Sequence, residues 1–117
     1  MTKTMSHLEV MLDDQLCLAG INPEETEYYA IPGRRFRWDF AFPSKRLLIE
    51  VQGAIWVKGG HSTGTGISRD AEKLNLATLA GWKTLILTAE MIKDGRGLAW
   101  IQEALGHGFA VALYVVA

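Results

Sequence analysis

The chain has 117 residues, 49% of them apolar and 21% charged, enough for one core and too few for two. A single globular domain over residues 1–117 is expected, and the balance of apolar and charged residues excludes a disordered chain. The apolar runs are short and interrupted, which reads against a membrane span, and no signal peptide precedes the first amphipathic segment. Cys17 has no partner for a disulfide and fits a small buried hydrophobe in reducing, cytoplasmic surroundings. The net charge of −1 says little by itself, but its distribution is uneven. Residues 1–32 carry a balance of −5, residues 33–58 a balance of +4, and the rest is neutral.

Taken in chain order, Ser6 to Ala19 reads as a helix with Leu8, Met11, Leu12, Leu16 and Ala19 on one face. Ser6 and Glu9 have the spacing of a capping box, and Gly20 supplies the stop. A short strand is predicted over Thr26–Ile31, and Pro32-Gly33 then turns the chain into a hairpin. Its first arm, Arg35 to Phe42, alternates strictly: Phe36, Trp38, Phe40 and Phe42 on one face, Arg35, Arg37 and Asp39 on the other. After Pro43-Ser44-Lys45-Arg46 the second arm, Leu47 to Gln52, alternates as well, with Glu50 and Gln52 sharing a face. A glycine-rich loop over 57–67 has the composition of a flap. Ser68 is placed to cap a second helix over Arg69–Ala80. Trp82 to Leu87 reads as a central strand, parallel to an earlier one because a helix separates them. A helical turn over 89–94, a helix over Gly97–Leu105 and a last apolar strand over Phe109–Val116 complete the order. That last strand is a candidate dimer edge. The expected architecture is α/β, a mixed sheet flanked by helices in the order α-β-β-β-α-β-α-β.

Folding the hairpin symmetrically about Ser44-Lys45 sets Asp39 opposite Glu50 and Arg37 opposite Gln52. Directly opposed strand residues have Cβ atoms roughly 5 Å apart, and like charges there repel. Two carboxylates in that position call for something positive between them, most simply a divalent ion with oxygen ligands. The alternative is a half-exposed hairpin whose acids are neutralised by Arg35 and Arg37. The basic excess around the pair is what a polyanion approaching two acids requires, although a solvated hairpin edge has a similar composition. Other chemistries lack their residues. One cysteine and three scattered histidines build no zinc site, no Gly-Lys-Ser/Thr follows the glycine loop, and no serine sits in a nucleophile elbow. The four tryptophans are expected in the core, with Trp56 beside the loop as a candidate for base stacking.

Asp39 on one strand, Glu50-Val51-Gln52 on the next, and Asp70-Ala71-Glu72-Lys73 on the following helix resemble the PD-(D/E)XK nuclease superfamily. The small, phage-type and very-short-patch-repair-like endonuclease branch is the nearest in pattern. The resemblance covers roughly residues 6–100 and implies a restriction-endonuclease-like fold and a magnesium-dependent DNA endonuclease, with manganese as a substitute. It further implies Asp39 and Glu50 as metal ligands, completed by the main-chain carbonyl of Val51 and by Glu9 from the first helix. For Glu9 the capping box is a competing role. Glu27 is a further strand acid, read as ordinary.

At one position the chain departs from the superfamily. Gln52 stands where the signature lysine belongs, and glutamine orients a water or binds metal without bringing positive charge. Lys73 is the candidate replacement, because its helical spacing places it with Leu76, Ala77 and Ala80 and the superfamily sometimes draws its lysine from this helix. A snorkelling lysine, or one paired with Asp70, is the alternative. Arg35, Arg37, Lys58 and His61 are expected to contact DNA. If Gln52 has removed turnover, what is left is a nucleic-acid-binding module on a nuclease-like fold.

Overall fold

The computed structural model describes residues 5–53 and 64–106. Among the described residues four strands form one mixed sheet in the order β1-β2-β3-β4: β1 is Glu25–Tyr28, β2 Trp38–Phe42, β3 Leu47–Gln52 and β4 Lys83–Thr88. The first three are antiparallel neighbours, and β4 runs parallel to β3. Helix α1 is His7–Leu18 and α2 is Gly64–Leu79; α3 (Ala89–Lys93) and α4 (Arg96–Ala104) follow β4. The α/β architecture expected from the sequence is present, while the predicted strand 109–116 lies outside the described residues. For that reason β4, expected in the centre, is the last of the described strands. Among the described residues no helix is long and apolar enough to cross a membrane.

Local signals account for most element boundaries. The Ser6–Glu9 capping box forms as the spacing requires: the Ser6 N–H donates to Glu9 Oε1 at 2.9 Å, and the Glu9 N–H donates to Ser6 Oγ at 3.2 Å. Helix α2 begins at Gly64, ahead of the expected cap at Ser68, because glycines weaken a helix by only about 1 kcal/mol each and do not forbid it. Strand β1 stops at Tyr28, short of the predicted Ile31, which is buried all the same.

The hairpin turn is a 3₁₀ turn over Pro43–Lys45, closed by Arg46 in the left-handed conformation (φ 54°). Four turn residues set the register at Phe42–Leu47, Ala41–Leu48 and Phe40–Ile49, symmetric about Ser44-Lys45 as expected. Glu24 ties the turn to the start of β1 by accepting the Ser44 N–H at 2.9 Å and the Ser44 hydroxyl. The Ser44 donors hold the exposed Glu24 carboxyl below its usual range.

The sheet carries a core on each face. On one, Phe40, Phe42, Leu47, Ile49 and Leu87 meet Leu12 and Leu16 of α1, Ile92 of α3 and Ile101 of α4. Helix α4 comes close to β4 at Gly97, where an added Cβ would lie 3.0 Å from Leu87 Cδ1. On the other face, Ala41, Leu48 and Trp82 pack with Ala77 of α2, and Leu74 and Leu76 of the same helix join them. Trp38 belongs to this second group and not with Phe40 and Phe42, so the strict alternation expected of the first hairpin arm fails there. The irregularity has a neighbour in β1. Glu27 is left-handed (φ 49°), between the paired rungs Thr26–Phe40 and Tyr28–Trp38, and a left-handed residue in a strand breaks its pleat.

Candidate active site

Leu48 packs on the α2 side of the sheet, so Glu50, two residues further along β3, projects to that side too. The last paired rung of the β2–β3 ladder is Phe40–Ile49, so the ladder stops short of the expected Asp39–Glu50 rung. There the Asp39 carboxylate accepts the Val51 N–H at 2.8 Å. A side chain takes the part of a main-chain acceptor, tying Asp39 to the strand that bears Glu50. Glu27 lies on β1 between the paired rungs Thr26–Phe40 and Tyr28–Trp38.

Glu27 and Glu50 each have their own cation. Arg37 Nη1 donates to Glu27 Oε1 at 2.7 Å, a pair open to solvent on both sides. Lys73 reaches down from α2 and forms an ion pair with Glu50. The alternative in which Arg35 and Arg37 neutralise Asp39 and Glu50 is therefore not what forms: Arg37 is spent on Glu27, and Arg35 is exposed at the rim. Nor does Lys73 pair with Asp70. Its side chain is 14% exposed and that of Glu50 24%, so the pair is partly withdrawn from water. Lys73 Nζ also donates to the Arg37 carbonyl at 2.6 Å and sits 4.3 Å from the centre of the Trp38 ring.

These groups surround a cleft of about 500 Å³. Its walls include Asp39, Glu50, Val51 and Gly53 from the hairpin, Ser6 and Glu9 from α1, and Glu27 from β1. Arg35, Phe36 and Arg37 line it before β2, and Arg69, Asp70 and Lys73 from α2. Of the residues singled out in the sequence, Glu9, Arg35, Arg37, Asp39, Glu50, Val51 and Lys73 are brought to one cavity. Gln52 lies next door, lining a small recess with Glu50, Asp70 and Lys73. Glu9 keeps its capping role while 6% exposed at the cleft wall. Lys58, His61 and Trp56 lie outside the described residues. Arg69 was not anticipated at the site, although its spacing of four residues to Lys73 already placed the two on one side of a helix.

Among the described residues no three His, Cys, Asp or Glu side chains come together closely enough to hold a metal ion. What the cleft provides is a pair of carboxylates, Asp39 and Glu50, on adjacent strands. Such a hard, oxygen-only donor set suits magnesium, which keeps several of its waters and takes one or two carboxylates from the protein.

No family model and no curated protein matches the chain. Its fold is similar to a solved structure, the catalytic domain of the homing endonuclease I-Bth0305I, with a TM-score of 0.65 and 21% identity. The likeness covers 88% of this chain and 98% of that domain. At that identity it is a likeness of fold.

Proposed function

We propose that this chain is a metal-dependent endonuclease that hydrolyses DNA phosphodiester bonds, built on the PD-(D/E)XK plan with its lysine moved from the strand to the helix. One observation carries the reading: Lys73 of α2 sets its ammonium on Glu50, beside Gln52, so the positive charge missing from the strand is supplied from across the cleft. The fold shared with a homing-endonuclease catalytic domain supports it.

In this reading Asp39 and Glu50 hold a magnesium or manganese ion, with the Val51 carbonyl as a further donor. When bound, the ion supplies a water of lowered pKa and neutralises charge at the phosphate. The chain's own groups do the rest. Arg35 and Arg69 at the rim bind backbone phosphates flanking the scissile one, and Arg37 can join them on leaving Glu27. Lys73 places a fixed positive charge where negative charge grows as water oxygen bonds to phosphorus and the bond to the leaving alcohol oxygen breaks. Asp39 keeps the two acidic strands in register through Val51, so the geometry is set before substrate arrives.

Incubation with plasmid and branched DNA, in magnesium, manganese or EDTA, tests the reading. Cleavage that needs metal and is lost in Asp39→Asn supports it; a parent protein inert with both metals refutes it. Gln52 favours a second reading, a DNA-binding module without turnover. It predicts salt-dependent DNA binding that remains when the metal is chelated and cleaves nothing.

A further inference from the structure

We infer that Trp38 is a positioning residue for Lys73: its indole face fixes the ammonium at the mouth of the acidic pair. The inference rests on the nuclease reading above for its catalytic meaning, and on geometry alone for the contact.

Lys73 is a long, flexible side chain, and a charge useful in a transition state has to be held in place beforehand. Three groups hold its ammonium: the Glu50 carboxylate, the Arg37 carbonyl at 2.6 Å and the Trp38 ring at 4.3 Å from centre to Nζ. The first two are hydrogen-bond acceptors that a bound ion or a phosphate can compete with or displace. The ring is not. Trp38 is fully buried, gripped by Leu48, Ala77 and Ile31, and offers a face that stays put whatever occupies the cleft.

The choice of indole carries a penalty that phenylalanine or leucine would avoid. Among the described residues nothing accepts the buried Trp38 Nε1–H. What indole gives in exchange is the strongest cation-binding face of any side chain, in surroundings where water screens little. The ring reaches Lys73 because Trp38 leaves the face of Phe40 and Phe42 and joins the α2 side.

Cleavage kinetics in Trp38→Phe and Trp38→Leu, alone and combined with Lys73→Ala, test the inference together with NMR of the lysine ε-methylenes. Trp38→Phe keeps a ring of weaker affinity for cations. It should lower kcat about tenfold while KM for DNA stays within about twofold, since the loss falls on the transition state. In the Lys73→Ala background the same change should do nothing further, because Trp38 acts only through Lys73. The Lys73 ε-methylene protons of the parent, assigned by Lys73→Arg, should resonate upfield of the other lysines. Trp38→Leu should return them to the common position.

A Trp38→Phe that slows Lys73→Ala as much as it slows the parent would make Trp38 a core residue only. Lys73 resonances at the position of exposed lysines would overturn the contact itself, a measurement on the parent that needs no variant to fold. A parent that cleaves no DNA would overturn the nuclease reading and the catalytic half of this inference, with the resonances still deciding the contact. An active parent whose kcat is unchanged in Trp38→Phe would overturn the inference alone.

Discussion

The two ends of the β2–β3 hairpin are made from the same two strands and do opposite things. At the turn, Ala41, Phe42, Leu47 and Leu48 are buried and paired rung by rung. A cation closes this end as well: Arg46 lies 4.3 Å over Trp82 and donates to the Ala80 carbonyl. At the far end, beyond the last rung, lie Asp39 and Glu50, both half-buried at a polar cleft, where Lys73 again pairs a cation with a tryptophan ring. The difference is the third partner. Arg46 meets a carbonyl and serves to pin the turn against α2; Lys73 meets a carboxylate that faces a cavity. The same arrangement, a cation on indole held by a main-chain carbonyl, stands alone at the turn and gains a carboxylate partner at the cleft.

The largest effect should come from the open end. Lys73→Ala should lower cleavage by about 10³-fold, the usual loss when a preorganised charge at a reacting phosphate is removed, with DNA affinity nearly unchanged. Gel-based cleavage rates beside binding isotherms check it, and a variant that cleaves like the parent would make Lys73 a scaffold residue like Arg46. The closed end should behave in the reverse way. Leu48→Ala should cost about 3 kcal/mol in urea unfolding, with cleavage per folded molecule preserved.

A subtler contrast concerns Glu50. Opposed acids alone would gain stability on losing a charge, as expected from the sequence. Since Lys73 already neutralises Glu50, Glu50→Gln without added metal should destabilise by about 1 kcal/mol, between the exposed and the buried limits for ion pairs. Urea midpoints decide the sign.

The smallest effect sits at the turn. The folded-state pKa of Glu24 is depressed below its ordinary value of 4.5, so its latch on Ser44 contributes fully above that value and is lost as pH falls through the folded pKa. Glu24→Gln should shallow the acid limb of a melting-temperature profile and leave the neutral limb nearly unchanged.

Much of this was legible in the chain, and the exceptions share a cause. The register of the hairpin follows from alternation and a four-residue turn, and the capping box from Ser6 and Glu9, because both are local. That Lys73 turns toward the sheet follows from its helical spacing with Leu76, Ala77 and Ala80, whereas its pairing with Glu50 does not. The placement of Trp38 does not follow, because it breaks an otherwise clean period, and its rung partner Tyr28 follows a left-handed Glu27 on another strand. The ion pair of Arg37 with Glu27 was likewise not foreseen, since Glu27 lies on a neighbouring strand that periodicity cannot align. Local pattern reads local structure; contacts between strands that no tight turn joins need the fold.

Asp39 has one more consequence, for trapping the protein at work. Its bond to the Val51 N–H asks only for an oxygen acceptor, which an asparagine amide supplies in the same shape. Asp39→Asn therefore subtracts charge while conserving the seam between the strands. On the endonuclease reading it is the isosteric choice for a folded, inert decoy that keeps Arg35, Arg69 and Lys73 in position, and so for capturing intact DNA in the cleft for crystallography.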